Sequence, residues 1–455
     1  MDGCPAGGVA YTPAELAART AYRRAVEVAI WGMPIVATAA IRHGYRRDLG
    51  ASDNDIAYYS RLPDWKFQTT TPNASTHYAY SATSTKAGPV VLEVPAAEGA
   101  GLYGQICDMW DVPLAIVGPG GDDRGEGGSY LILPPGYDDE PPPGYLPVWP
   151  LTRGAFWLMR AIPAGSSQAD LDAAIALLKK IRMRPLAPAG SPGPQRFVDA
   201  SGKLWDGIPR MDASFYGILA QMVNEEPVLA RDLAMMNVLR SVGIRPGQDF
   251  SPPPEAAAIL GDAATEAKAF LINQLITATE PFYNGSQWFL PDSTGLKTEF
   301  SYQTPELLDY DNRGMLGFYG WAPPKRADPS APTIYIQAFN DEIGRPLTGA
   351  NIFRLRVPAP VPAAQYWSLT IYDYDTAGFI RLAPVISIDS YSDRIVASGD
   401  GSIDIYVAPS PPPGRKHNWV ASQRDGRWFA MFRLYGPQKA FFDKTWRLPD
   451  FKPEQ

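Results

Sequence analysis

The stretch TTPNASTHYAY, residues 70–80, gathers Asn73, Ser75, Thr76, His77, Tyr78 and Tyr80 into a few positions. A plain hairpin needs one or two turn residues, so this density points to a wall that offers hydrogen bonds to a ligand. His77 is the natural acid or base near neutral pH, Tyr80 can donate a proton, and Asn73 can orient a polar group. Elsewhere Arg153 in LTRGAF and Arg313 in DNRGM carry the fork geometry that grips carboxylate or phosphate. Tyr372 and Asp373 in YDYD add a phenol and a carboxylate. The expectation is therefore His77, Tyr80 and Asp373 as catalytic groups, with Asn73, Arg153, Arg313 and Tyr372 binding substrate.

Each residue also has a structural reading. His77 fits a solvated strand position, Arg153 and Arg313 fit ion pairs, and Tyr80 and Tyr372 fit core aromatics. Asp373 fits the cap of a turn before Gly378. The glycine run GPGGDDRGEGG at 118–128 lacks the order of a phosphate cradle and reads as a hairpin loop. No nucleophile elbow, zinc-protease helix motif, nucleotide-binding P-loop or Cys-x-x-Cys pair occurs. The 3 histidines lie in three separate segments, so a histidine metal site is not expected. No cofactor is expected either.

The chain of 455 residues has 45% hydrophobic and 20% charged residues, a globular balance with room for two or three domains. Net charge is −7 and no basic stripe interleaves with aromatics, which argues against nucleic acid as a partner. The expected partner is a small-molecule substrate or ligand, and a homo-oligomer is a further expectation. Only Cys4 and Cys107 are present, fitting a reducing compartment. The opening residues lack a signal pattern, and the apolar stretch 25–41 is interrupted by Glu27 and Pro34. A cytoplasmic protein with no membrane span is expected.

Positioning elements follow from capping signals and periodicity. Thr12, Pro13 and Glu15 open a helix, which Pro34 is expected to kink or break. Runs such as HYAYSAT, PVVLEV, LYGQICDMW and AFWLMRAI read as strands. Ser167 with Asp170 opens a helix, more helical patterns cover 212–224, 228–242 and 254–279, and Thr304-Pro305-Glu306 signals another start. After 333 the alternating runs TIYIQAF, NIFRLRV, YWSLTIYDYD, SIDIYVA and RWFAMFRLYG read as half-buried strands. This order gives an α+β chain: a helical segment 1–48, a β-rich domain 49–165, a mostly helical section 166–324 and a β-rich domain 325–455. Each β block is expected to be sandwich-like, of jelly-roll type.

The motifs TTPNASTHYAYSATSTKAGPVVLEVP, GSYLILPPGY and VWPLTRGAFWLMRAI resemble the bacterial domain of unknown function 1254. DEIGRPLTGANIFRLRVP, AQYWSLTIYDYDTAGFI and FRLYGPQKAFFDKTW resemble domain of unknown function 1214, its usual C-terminal companion. The resemblance implies two β-sandwich-like units with helices between them, and no single reaction. Where that family commonly reads Asn-x-Asp-Thr-Leu-Tyr, this chain has Asn73, Ala74, Ser75, Thr76, His77 and Tyr78, so no role of that aspartate carries over. Two functions fit. One is a cofactor-independent enzyme acting on a small polar or carboxylated molecule in an interdomain cleft, by hydrolysis or another addition-elimination. The other is a non-catalytic protein that binds a small molecule or glycan on exposed Trp367, Trp419 or Trp428.

Overall fold

The computed structural model describes residues 11–165, 167–186, 194–290, 300–320 and 333–454. Cys4, most of the proline-rich loop 185–194 and the boundary expected at 324/325 lie outside these residues. The fold is α+β, with helices on and between two sheet-rich units.

Helix α1 (Pro13–Leu49) starts at the expected capping box, in which Thr12 and Glu15 cap each other's backbone N–H. It ends at Gly50, whose left-handed φ of 63° suits glycine. Residues 28–42 are all buried, so α1 is a core helix wrapped by protein. It is also long and apolar enough to cross a membrane by length and composition.

Pro34 does not break α1. A proline there leaves the Ile30 carbonyl without its helical donor, and a neighbouring helix fills the space. In α6, defined below, a Cβ on Gly314 would lie 2.4 Å from the Ile30 carbonyl oxygen. One on Gly317 would lie 2.8 Å from Pro34 Cα. Arg313, beside Gly314, donates from Nη2 to the Trp31 carbonyl at 3.4 Å. The proline and the two glycines thus form one close helix crossing.

The other helices are α2 (Gln168–Leu178), α3 (Ser214–Glu225), α4 (Leu233–Ser241), α5 (Pro254–Ala278), α6 (Tyr310–Tyr319) and α7 (Lys439–Phe442). α2 has the expected Ser167–Asp170 capping box. The start signal at Thr304 makes a turn instead, because its hydroxyl accepts from the N–H of Glu306 and Leu307. α6 begins after Asp309, which accepts from Asn312 N–H.

The first unit has a six-stranded sheet with His77–Ser84, Gly154–Pro163 and Ala100–Asp108 adjacent at its centre. A four-stranded sheet holds Val90–Val94 and Gly128–Ile132. Short strands at Arg182–Pro185, Phe197–Asp199 and Trp205–Asp206 return from the section read as helical and pair with this unit. They are too short to show a period in the sequence. The glycine run 118–128 connects the two sheets rather than closing a hairpin. Asp123 accepts from Gly118 and Gly125 N–H, so the loop is satisfied by its own carboxylate.

The second unit packs two four-stranded sheets face to face. One sheet centres on Thr333–Ala338, Trp428–Pro437 and Ala363–Asp373. Its apolar face carries Ile334, Ile336, Phe432, Leu434, Leu369 and Ile371, and meets the other sheet where Trp428 and Phe353 rings lie 5.5 Å apart. Strand period two puts Thr333, Tyr335, Gln337, Met431, Arg433, Tyr435, Tyr366, Ser368, Thr370 and Tyr372 on the opposite face. That face is polar, yet all of these except the partly exposed Tyr335 are buried. It lies against the first unit.

Candidate functional site

A polar sheet face needs partners once covered, because each unpaired buried group costs about 1–3 kcal/mol. The loop 70–76 and the strands His77–Ser84 and Gly154–Pro163 supply them. Register places Tyr78 opposite Arg160 and Arg160 opposite Tyr103, so these three share one face of the six-stranded sheet.

Arg433 is 2% exposed and pins the loop. Its Nη2 donates to the carbonyls of Thr71 (3.2 Å) and Pro72 (3.4 Å) and to the Tyr372 hydroxyl (2.5 Å), while Nη1 donates to Thr370 Oγ1 (3.0 Å). Tyr372 in turn donates to the Pro72 carbonyl at 2.5 Å. Thr71 is held at a φ of 43°, a strained angle for a β-branched residue. Its N–H donates to the Ala377 carbonyl and its hydroxyl to the Tyr319 carbonyl. Asn73 Nδ2 donates to the hydroxyls of Tyr78 and Tyr435, and Asn73 Oδ1 accepts from Ser75 N–H and Oγ.

Arg160 completes the cluster from the first unit. It is 9% exposed, donates from Nη1 to the Tyr335 hydroxyl at 2.9 Å, and holds only a 3.5 Å contact from Nη2 to Thr333 Oγ1. Among the described residues neither Arg160 nor Arg433 has a carboxylate partner. Phenols surround them instead. Burial alone would push both guanidiniums down, but Tyr335, Tyr78 and Tyr435 around Arg160, and Tyr372, Tyr435 and Tyr335 around Arg433, hold them up. The converse holds at Tyr335. Burial would raise its phenol, and the Arg160 and Arg433 guanidiniums outweigh that and pull it below the ordinary phenol range. A phenol so placed can give and take a proton beside a bound anion.

Of the residues proposed from sequence, Asn73 and Tyr372 meet in this cluster. His77 does not, since it lies on the opposite face of its strand from Tyr78. Its Nδ1 donates to the Tyr59 carbonyl at 3.0 Å, and burial holds its pKa below the usual imidazole value. Tyr80 sits in the aromatic core among Tyr45, Phe156 and Trp205. Asp373 caps its turn by accepting from the N–H of Asp375 and Thr376. Arg153 is exposed and donates to the Glu225 carbonyl. Arg313 lies 4.5 Å over the Trp110 ring in a separate helical junction.

Arg160, Tyr335, Arg433 and Tyr435 were not singled out from sequence. A signal existed: FWLMRAI and FAMFRLYG each hold one arginine inside an apolar strand, where a charge requires a reason.

Comparison with known proteins supports this two-part organisation. Residues 54–185 match the family model described as Protein of unknown function (DUF1254), and residues 332–439 match Protein of unknown function (DUF1214). The crystal structure of the VPA0106 protein from Vibrio parahaemolyticus shares the fold, with a TM-score of 0.54, 16% identity, and coverage of 96% of this chain and 100% of that one. An uncharacterised protein from Burkholderia cenocepacia aligns with a TM-score of 0.43 and 10% identity over 96% of this chain and 94% of that one. No curated protein matches the sequence. The chain pairs a DUF1254 domain with a DUF1214 domain.

Proposed function

We propose that this pairing frames an enzyme that acts on a small carboxylated molecule between the two units, by an addition-elimination reaction that needs no cofactor. One observation carries the reading: two buried guanidiniums share the Tyr335 phenol and face no carboxylate of the described chain. Burying charge without a counter-ion costs several kcal/mol, so an external anion is the natural complement. Arg160 has guanidinium capacity to spare and holds the substrate carboxylate. Tyr335, a phenol when the substrate binds, passes its proton to the leaving group as the C–X bond breaks and takes the proton from the neighbouring carbon, whose C–H electron pair forms the C=C bond, so that it ends as a phenol again; the reverse addition retraces these transfers. Arg160 stabilises the charge that develops on the carboxylate in that step. Arg433 and Asn73 position the wall of the site rather than touch the substrate.

The binding alternative needed an open platform of Trp367, Trp419 or Trp428, and these are 5%, 7% and 1% exposed. The test is thermal denaturation with succinate, malate, phosphate and chloride. Carboxylates should raise the midpoint of the wild type and leave Arg160→Met unchanged. A wild type indifferent to every carboxylate, or equally responsive to chloride, would overturn the reading.

A further inference from the structure

The groups around Arg160 present hydrogen-bond donors, and this bears on what the departing group can be. Tyr335 accepts from Arg160 Nη1 at 2.9 Å and from Thr333 Oγ1 at 3.3 Å. Those bonds occupy both lone pairs of the phenol, so only its O–H is left for a ligand. Asn73 has a similar effect on Tyr78. Asn73 Oδ1 accepts from Ser75 N–H and Oγ, which fixes the amide, and Nδ2 then gives one hydrogen to Tyr78 at 3.1 Å and the other to Tyr435. Among the described residues neither the Tyr335 nor the Tyr78 O–H has an acceptor, and the two guanidiniums can only donate.

Acceptors nearby are committed or displaced. The Thr71 and Pro72 carbonyls take Arg433, and Pro72 also takes Tyr372. Gln337 Oε1 is buried without a partner, but it lies two residues beyond Tyr335, opposite Met431. Ser368, opposite Arg433, adds one unpartnered hydroxyl. Tyr335 is partly exposed, and Arg160 and Tyr78 are 9% and 8% exposed, while Arg433 and Tyr435 are sealed at 2% and 0%. A ligand therefore meets Tyr335, Arg160 and Tyr78 first.

An alkylammonium brings three donors and a positive charge. Here it would face two guanidiniums and donor O–H groups, with no carboxylate of the described residues beside them. A hydroxyl or ether oxygen instead accepts from Tyr335. The chemistry of departure agrees: an ammonium leaves as neutral ammonia and needs no acid, whereas an oxygen needs a proton. We infer that the substrate is a 3-hydroxy or 3-alkoxy carboxylate, and that the site excludes 3-amino acids. The inference rests on the reading of Arg160 as carboxylate holder and Tyr335 as acid. The C2–H electron pair forms the C=C bond as the C3–O bond breaks. The oxygen leaves as water or alcohol with the Tyr335 proton, and the C2 proton restores the phenol.

Butanoate, 3-hydroxybutanoate and 3-aminobutanoate differ only at C3, and each is titrated calorimetrically into the whole chain at pH 7. Butanoate should bind, 3-hydroxybutanoate about tenfold tighter, and 3-aminobutanoate about tenfold or more weaker than butanoate. Tyr335→Phe should erase the hydroxyl advantage and keep butanoate binding. The three acids in the wild type decide the matter alone if that variant misfolds by circular dichroism. Three results overturn the inference and leave the reading of Arg160 standing: 3-aminobutanoate binding as tightly as butanoate, no hydroxyl advantage in the wild type, or an advantage that survives in folded Tyr335→Phe. Butanoate binding that survives Arg160→Met overturns the reading of Arg160 itself. If neither butanoate nor 3-hydroxybutanoate binds at millimolar concentration, both fall.

Discussion

Arg313 and Arg160 are both deeply buried, yet the groups around them differ in kind. Arg313 sits at the junction of α1, α6 and the turn after the strand Ala100–Asp108. It lies over Trp110 at 4.5 Å, and both Asp232 and Asp108 support its charge. Burial first, then the neighbouring Arg231, bring its pKa down to about 9, so it stays charged at neutral pH. Asp232 is tied in by the Trp31 indole at 2.9 Å and by Arg231 at 3.5 Å. The Arg313 centre thus carries its own anions, and its purpose is complete inside the fold. Among the described residues the Arg160 centre has phenols and hydroxyls around it and no carboxylate. A buried charge that the fold compensates is a structural device, whereas one that it leaves uncompensated marks where a ligand supplies the missing charge.

The largest expected effect tests the Arg313 side. Arg313→Met should leave two buried carboxylates short of a cation and remove the donor to the Trp31 carbonyl beside Pro34. A loss of about 3–5 kcal/mol is expected in urea denaturation. A change near zero would mean that the carboxylates do not depend on this arginine, and the contrast between the centres would fail.

Arg433→Met comes next. The Thr71 and Pro72 carbonyls and Thr370 would lose their charged donor, for a cost of about 2–3 kcal/mol. The strained Thr71 backbone should relax with it, seen as faster amide hydrogen exchange across 69–76 and unchanged exchange in α6.

These two centres also show how far the sequence could be read. The Thr12 cap, the Ser167 cap and the alternating strands after 333 were legible because each depends on residues a few positions apart. Alternation in YWSLTIYDYD and RWFAMFRLYG told that two faces differ, but not what covers the second face. Water and a neighbouring domain impose the same pattern on a strand, so the buried polar face emerges only in three dimensions. In the stretch 70–80 Asn73 reaches the tyrosines of the buried cluster, whereas strand period two sends His77 away from it. Pro34 misled for a similar reason, since the Gly314 and Gly317 that accommodate it lie far along the chain.

A smaller effect distinguishes the centres by pH. Asp108 is buried, and burial raises its carboxyl to about 6 against the pull of Val112 and Trp110 N–H, Arg231 and Arg313. Its folded pKa exceeds the unfolded value near 4, so the folded state holds the proton more tightly. The stability this supplies is full below pH ~4 and is lost as pH rises through ~6, amounting to about 1–3 kcal/mol. Asp108→Asn should flatten that slope in denaturation midpoints measured from pH 4 to 7.

The smallest change in stability should come from the Arg160 centre, and it is the most informative. Arg160→Met relieves a buried charge that no carboxylate of the described residues compensates and also removes the donor to the Tyr335 hydroxyl; the two effects oppose, so stability should shift by about 1 kcal/mol or less in either direction. Tyr335 gives the opposite pH sign to Asp108. Its folded phenol is pulled below the unfolded value near 10. The unfolded state therefore holds the proton more tightly, and the stabilisation is present above pH ~10 and lost as pH falls through the folded value. The phenolate formed there supplies the anion that the arginines lack, so it competes with a bound carboxylate. Carboxylate affinity should fall as pH rises through the Tyr335 titration, read by phenolate absorbance as wild type minus Tyr335→Phe. Tyr335→Phe should keep carboxylate binding and lose that alkaline decline. A decline that persists unchanged in Tyr335→Phe would show that another group compensates Arg160, and the two centres would differ less than their neighbours suggest.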